Sequence, residues 1–214
     1  MRKISLAVLS LTFLVACKTQ KTATTVATKT ATVTTVNIDL NNVIDDKVKV
    51  EMTPIGFTTS TATFYIPKTV PGTYSTDNYG KYIENLKALD AKGNELTVTH
   101  TDDNSWKIDN AKAISKITYF VNDTYDTEGT HDVFSPAGTN ILAGKNFMLN
   151  LHGFVGYFKE HQELPYTLNI AHPSDLVGNT ALSDSNIATD NDTFITKRYF
   201  EVTDNPIMYA VENN

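Results

Sequence analysis

The chain has 214 residues, of which 41% are hydrophobic, 20% charged and 10% aromatic, the composition of one globular domain or at most two small ones. Lys and Arg number 18 against 24 Asp and Glu, giving a net charge of −6, and no basic cluster is longer than Lys197-Arg198. An acidic body without a basic patch repels phosphate backbones, which argues against nucleic acid as a partner.

The chain opens with Met1-Arg2-Lys3, a basic start, and continues through a largely apolar run from Ile4 to Val15. That run closes in Leu14-Val15-Ala16-Cys17, which resembles the bacterial lipobox, whose cysteine carries diacylglycerol and becomes the first residue after cleavage. The apolar run is too short for a permanent membrane span. Cys17 is the only cysteine, so an intramolecular disulfide, a cysteine-based zinc site and thiol chemistry in the body are excluded. Residues 1–16 therefore read as a lipoprotein signal peptide and residues 17–36 as the lipidated Cys17 plus a flexible tether. From Lys18 to Val36 the tether is dominated by Thr, Ala, Lys and Val, with no acidic, aromatic or turn-forming residue, and it lacks the large apolar groups that would offset the entropy of ordering. The expected location is the bacterial cell envelope, with the membrane as a partner through the lipid on Cys17. Lys18 stands where an aspartate would signal inner-membrane retention in some bacteria, which points to the outer membrane.

Residues 37–214 form the body, and period-two alternation recurs along it. Val48, Val50 and Met52 alternate with Lys49 and Glu51; Ala62, Phe64 and Ile66 alternate with Thr63 and Tyr65. Both predict half-buried strands. After the second comes Val70-Pro71-Gly72-Thr73-Tyr74. Pro71 fixes φ near −65° and Gly72 accepts the positive φ of a type II turn, so a rigid corner is expected. Tyr82 to Leu89 and Leu96 to His100 flank Asp90-Ala91-Lys92-Gly93-Asn94, which predicts a hairpin with Gly93 in the left-handed position. Trp106 and Ile108 follow, the single tryptophan reading as a core anchor. Further strands are expected at Ile117-Tyr119-Val121, Phe147-Leu149-Leu151, Tyr166-Leu168-Ile170 and Phe194 to Val202. Asn122 to Gly144 reads as one long polar loop. The absence of any 3.6-residue apolar stripe, with Gly, Asn, Asp and Pro between short strands, predicts an all-β antiparallel sandwich of two packed sheets; a closed barrel is the alternative.

Signals for catalysis are absent. The five histidines, His100, His131, His152, His161 and His172, contain no His-Glu-x-x-His pair. Scattered contributors to a metal site would be His131-Asp132, His152 and His161 with Glu163; the plainer reading makes His100 and His152 strand residues and the others solvated. No Gly-x-Ser-x-Gly nucleophile elbow or phosphate loop occurs. Gly153-Phe154-Val155-Gly156 reads as a bulge or a close backbone approach. Asp45-Asp46 and Asp102-Asp103 read as turn-borne surface charge. Tyr74, Tyr79, Tyr82, Phe154, Tyr157 and Phe158 either pack in the core or line a sugar or peptide groove.

Taken in order, Phe64-Tyr65-Ile66-Pro67, the Pro71-Gly72-Thr73-Tyr74 corner, the Gly93 hairpin, Trp106-Lys107-Ile108 and the closing Tyr199 to Thr203 then Asp204-Asn205-Pro206-Ile207 resemble the amino-terminal domain of M61-family (glycyl aminopeptidase-like) metallopeptidases. The resemblance spans about Val36 to Ala210. It departs at Thr69, where the family has tryptophan, and at Thr73, where it has serine. It implies a β-sandwich that packs beside a thermolysin-like catalytic domain, with Asp204 to Ala210 as the crossing point and Pro71, Gly72, Tyr74, Gly93, Trp106, Asp204 and Pro206 as structural markers. The family's zinc ligands and general base have no matching positions, so zinc is expected only in a catalytic domain that this chain lacks, and no catalytic residue or cofactor is expected here. The expected function is that of a non-catalytic, membrane-tethered domain, truncated or separately encoded, supporting a peptidase domain. The rivals are a free-standing lipoprotein binding peptide or glycan through its loops, and a hydrolase using scattered carboxylates or histidines.

Overall fold

The computed structural model describes residues 32–125, 132–186 and 188–212. Cys17, most of the tether and His131 lie outside them. Strands β1 (Thr34–Ile44), β2 (Lys47–Thr53), β3 (Thr61–Tyr65) and β4 (Ile83–Leu89) are followed by β5 (Val98–Asp102), β6 (Ser105–Asp109) and β7 (Lys116–Asn122). Then come β8 (Asn140–Leu142), β9 (Asn146–Leu149), a single helical turn α1 (Leu151–Phe154), and β10 (Tyr157–Phe158). The last elements are β11 (Tyr166–Ala171), β12 (Val177–Asn179), β13 (Asn191–Thr196), α2 (Tyr199–Thr203) and β14 (Ile207–Ala210).

The fold is mostly β, but it has three sheets rather than two. A six-stranded sheet runs β13-β11-β1-β2-β7-β4, and two four-stranded sheets run β10-β3-β6-β5 and β12-β14-β9-β8. Every pairing is antiparallel except β1 with β11, which run parallel from Thr34 opposite Tyr166 to Asp39 opposite Ala171. Alternation drives the burial: Val36, Ile38, Leu40, Val48, Val50, Met52, Ile117, Tyr119, Val121, Leu168 and Ile170 all point inward. The Phe64 ring of β3 lies 5.6 Å from Tyr119 of β7 and 6.2 Å from Trp106 of β6, joining the first two sheets across one core. Each such side chain fully removed from water contributes about 1.5–3 kcal/mol.

Several sequence expectations change. Strand β1 starts at Thr34, three residues inside the stretch read as tether, because Thr34 and Val36 are buried against β2 and β11. The Gly93 turn forms, with the Gly93 N–H on Asp90 O at 3.0 Å, but the hairpin does not extend beyond it. The Leu89–Glu95 bridge, a bond from Leu96 N–H to Ala88 O and the Lys87–Glu95 ion pair join the two arms, but β4 then pairs with β7 in the first sheet and β5 with β6 in the second. A local turn signal cannot tell a hairpin from a crossing between sheets. The run Phe194 to Val202 is not one strand, since β13 ends at Thr196 and Tyr199–Thr203 is helical. Likewise Leu151 opens α1 instead of continuing β9. Within the stretch read as a long loop, residues 140–142 form β8, paired with β9. Asp45 and Asp46, at φ 49° and 56°, make the two-residue left-handed turn between β1 and β2, which is their turn role as expected.

Candidate functional site

The corner comes first. Thr73 N–H bonds to Val70 O at 3.2 Å, the Thr73 hydroxyl donates to the same carbonyl at 2.8 Å, and Gly72 has φ +93°, the arrangement of a type II turn. Tyr74 follows at φ +55° with its side chain wholly exposed, so it lines no groove. Behind the corner the chain is anchored inward: Tyr79 donates its hydroxyl to the buried Asp77 at 2.8 Å, and Ser75 bonds to the other Asp77 oxygen. Burial, reinforced by the Asp77 carboxylate, holds the Tyr79 hydroxyl far above the ordinary tyrosine range.

Between the corner and α2 lies a groove of about 520 Å³ whose walls include Val70, Pro71, His152, Tyr157, Phe200 and Thr203. Gly156, just before β10, lets that segment close onto the core, for a Cβ there would sit 2.0 Å from the Phe64 ring. Tyr119 donates to Phe154 O at 2.6 Å and Tyr199 to Val155 O at 2.6 Å, fixing the two aromatic anchors of that segment. The Tyr157 and Tyr199 rings lie 4.7 Å apart. Burial raises the Tyr199 hydroxyl well above its usual range and Tyr157 more modestly. His152, buried in α1 rather than set on a strand, packs edge-on to Tyr79 at 4.5 Å and donates Nε2–H to Ala137 O at 3.0 Å. Burial pushes its pKa down, against the pull of the Ala137 and Thr203 backbones, so it is held neutral. No Ser, Cys or carboxylate forms a nucleophile–base pair among the described residues lining the groove, whose walls mix aromatic, apolar and polar side chains.

A second surface lies on the third sheet. Its outward rows read Asn179, Met208, Met148, Asn140 and Val177, Ala210, Asn146, Leu142 across β12, β14, β9 and β8. None of these eight side chains is charged. Met208 is 47% exposed, Val177 43% and Leu142 42%, and with Tyr125 the face encloses a shallow space of about 490 Å³. The inward rows, with Ile207, Tyr209, Phe147, Leu149 and Ile141, are buried. Segment 207–210, expected as an exit, is thus a central strand of this sheet. The Asn122 to Gly144 stretch supplies its neighbours: Asp123 accepts the Ile141 N–H, and Tyr125 donates its hydroxyl to Ser135 O.

The profile of the peptidase M61 N-terminal domain matches residues 35–211. The chain belongs to the peptidase M61 N-terminal domain family. Among solved structures, the aminopeptidase N family protein of Idiomarina loihiensis aligns with a TM-score of 0.70 at 18% identity, covering 83% of this chain and 29% of that one. An M1 zinc metallopeptidase of Deinococcus radiodurans, bound to a Tyr-Ser-Ala substrate, aligns at a TM-score of 0.49 and 8% identity over 85% of this chain and 42% of its own. This chain therefore spans less than a third of the Idiomarina protein's length, and the likeness shows a shared fold. No curated protein matches.

Within this M61 N-terminal domain the marker residues are dispersed. Val70 and Pro71 meet α2 across the groove, and Asp204 caps α2 through its N–H to Phe200 O at 3.0 Å, so corner and closing segment are neighbours. Pro206 leads into β14. Gly93, at φ +83°, sits in the turn after β4, while Trp106 is buried in β6 with the His100 ring stacked on it at 4.7 Å. Of the histidines expected to be solvated, the two among the described residues are not: His161 stacks on Phe57 at 4.7 Å and His172 is buried beside Tyr209. Among the described residues no group of three or more His, Cys, Asp or Glu is placed to hold a metal ion. The uncharged sheet face escapes a sequence reading because Met148, Met208 and Val177 are assembled from three separate strands.

Proposed function

We propose that this chain is the non-catalytic β-sandwich partner of an M61-like peptidase domain, tethered to the envelope membrane through lipid on Cys17. The observation that carries the reading is family membership over residues 35–211 combined with an uncharged, methionine-bearing sheet face on the chain's last strand. Interface cores are depleted of charge and enriched in Met and aromatics, as this face is. The peptidase domain covers Met148, Met208 and Leu142, and the tether holds the assembly off the membrane.

The test has two parts. Reading the gene beyond the codon for Asn214 and in neighbouring frames identifies a catalytic domain carrying His-Glu-x-x-His. Mixed with this chain, that domain is expected to give a one-to-one complex by size exclusion with light scattering. Two separate monomers at micromolar concentration would remove the packing role. For the tether, Cys17→Ser is expected to move the protein from the detergent-soluble membrane fraction to the soluble fraction, and retention in the membrane would end the lipidation reading.

A second reading is favoured by the aromatic groove alone: Tyr157, Phe200 and the Pro71 corner hold an extended peptide or glycan. Saturation-transfer NMR with a peptide and a glycan library, showing no transfer in either, would discard it.

A further inference from the structure

The outer face of the third sheet holds the accessible sulfur of the body. The chain has four methionines: Met1 lies outside the described residues, Met52 is fully buried on β2, and Met148 and Met208 stand together on this face. They are register partners, Met208 of β14 directly opposite Met148 of β9, which sets their Cβ atoms about 4.5–5.5 Å apart. Met208 is exposed and Met148 half-buried, and both border the shallow space beside Tyr125. Residues 37–214 contain no cysteine, so methionine is their one oxidisable sulfur.

The fold accommodates an oxygen on these two sulfurs and not on the third. Met52 sits in the inner row of the six-stranded sheet, where an added oxygen would meet only core side chains and lose its hydration without a donor to replace it. On Met148 and Met208 the oxygen projects from the outer row into water and disturbs no inner residue. The same oxygen becomes unfavourable once another surface covers the face. A sulfoxide is a strong acceptor, and the asparagines at the two ends of the methionine row direct their amides elsewhere: Asn140 Nδ2 donates to Asn146 Oδ1, and Asn179 Nδ2 to Val177 O at 3.3 Å. No Lys or Arg stands among the eight outward residues to supply a donor, and an acceptor covered without one opposes association.

We propose that Met148 and Met208 form a reversible oxidation site, modified by hydrogen peroxide or another small hydroperoxide, and that their sulfoxides switch off docking of the peptidase domain. At each residue an Sδ lone pair attacks one peroxide oxygen, so that the S–O bond forms and the O–O bond breaks. The departing oxygen takes up the remaining protons and leaves as water. Sulfur is oxidised by two electrons, the peroxide is reduced by two, and the thioether becomes a sulfoxide, which methionine sulfoxide reductases return to thioether. The switch rests on the peptidase-partner reading above; the position of the oxidation site does not.

The purified chain is exposed to millimolar hydrogen peroxide, and the oxygen taken up at each methionine is followed by peptide mass mapping. Met148 and Met208 should gain one oxygen each at least about tenfold faster than Met52, with the melting temperature unchanged. Calorimetry with the peptidase domain should then show association weakened at least about tenfold, and treatment with methionine sulfoxide reductases should restore it. The variant carrying Met148→Leu and Met208→Leu keeps an apolar face of similar volume, so it should associate like the parent and ignore peroxide. Oxidation of Met52 in the folded chain as fast as Met148 and Met208 overturns the site. Unchanged association after both are oxidised, or an equal loss by the leucine variant, overturns the switch and leaves the partner reading standing. Absence of association before any peroxide is added overturns the partner reading and the switch together, while the mass map still decides the oxidation site.

Discussion

On the outer face of the six-stranded sheet, Glu51 lies between Lys49 and Lys116 at 2.6 and 2.7 Å, and Lys47 pairs with Glu84 at 2.9 Å. Asn169 links Asn37 to Thr193 across the same face. On the outer face of the β12-β14-β9-β8 sheet the equivalent positions are Met208, Met148, Leu142 and Val177, spaced by Asn and Ala. Both sheets bury their inner rows equally well, so core formation does not explain the contrast. Ion pairs keep the first face in water, whereas the second lacks the charges with which a solvent-facing sheet normally discourages association. The difference suits the two faces to different environments, and under the proposed function the uncharged one is the face that the peptidase domain covers.

The largest effect should come from crossing the third sheet from its outer to its inner side. Phe147→Ala removes a fully buried ring from β9 and is expected to cost about 3–5 kcal/mol of stability in urea unfolding. Met208→Lys, one residue along from the buried Ile207 on β14, should leave that stability within about 0.5 kcal/mol. If the two variants unfold alike, the outer face is not free surface in the isolated domain.

Next in size, Met148→Lys with Met208→Lys should weaken association with the peptidase domain by about 2 kcal/mol or more, measured by calorimetry. Replacing Lys49 and Lys116 by methionine should leave that association unchanged. A loss confined to the second pair would reverse the assignment of faces.

Smaller again is the corner. At Gly72, φ +93° leaves open space around a new Cβ, so Gly72→Ala carries only a conformational penalty of about 1 kcal/mol. The expected readout is a lower melting temperature with association intact, since the residue belongs to neither sheet face. An unchanged melting temperature would mean that the corner does not hold the conformation described.

Much of the fold was legible because alternation is a local property: Val48-Val50-Met52 and Tyr166-Leu168-Ile170 announce buried rows in seven residues or fewer. Turn chemistry was legible too, at Asp45-Asp46, Gly72 and Gly93. Partner choice was not. Nothing in Asp90 to Asn94 says that β4 and β5 leave the turn for different sheets, and nothing in Thr34 to Ile44 announces a parallel neighbour 132 residues on, as Asn37 and Asn169 are. The switch to helix at Tyr199 and Leu151 follows from tertiary demands, the Tyr199 hydroxyl reaching Val155 O and Gly156 admitting the Phe64 ring. The uncharged face, with its Met148–Met208 pair, likewise depends on residues brought together only by pairing.

The smallest effect tests the charged face itself. The hydrogen bond from Lys116, then that from Lys49, lowers the Glu51 pKa below the ordinary glutamate range, outweighing its partial burial. A carboxylate whose folded pKa is depressed contributes stability that is fully present above its unfolded value and disappears as pH falls through the folded one. Glu51 is partly open to solvent, so screening limits the contribution to about 0.5–1 kcal/mol. Glu51→Gln should therefore be less stable than the parent by that amount at neutral pH, with the gap shrinking in high salt and closing once acid has protonated the parent's Glu51. The eight outward side chains of the third sheet carry no charge, so Met208→Gln should show the same small stability change at every pH. A gap for Glu51→Gln that persists in acid would mean that the side chain acts through packing and that the two faces differ less than their charges imply.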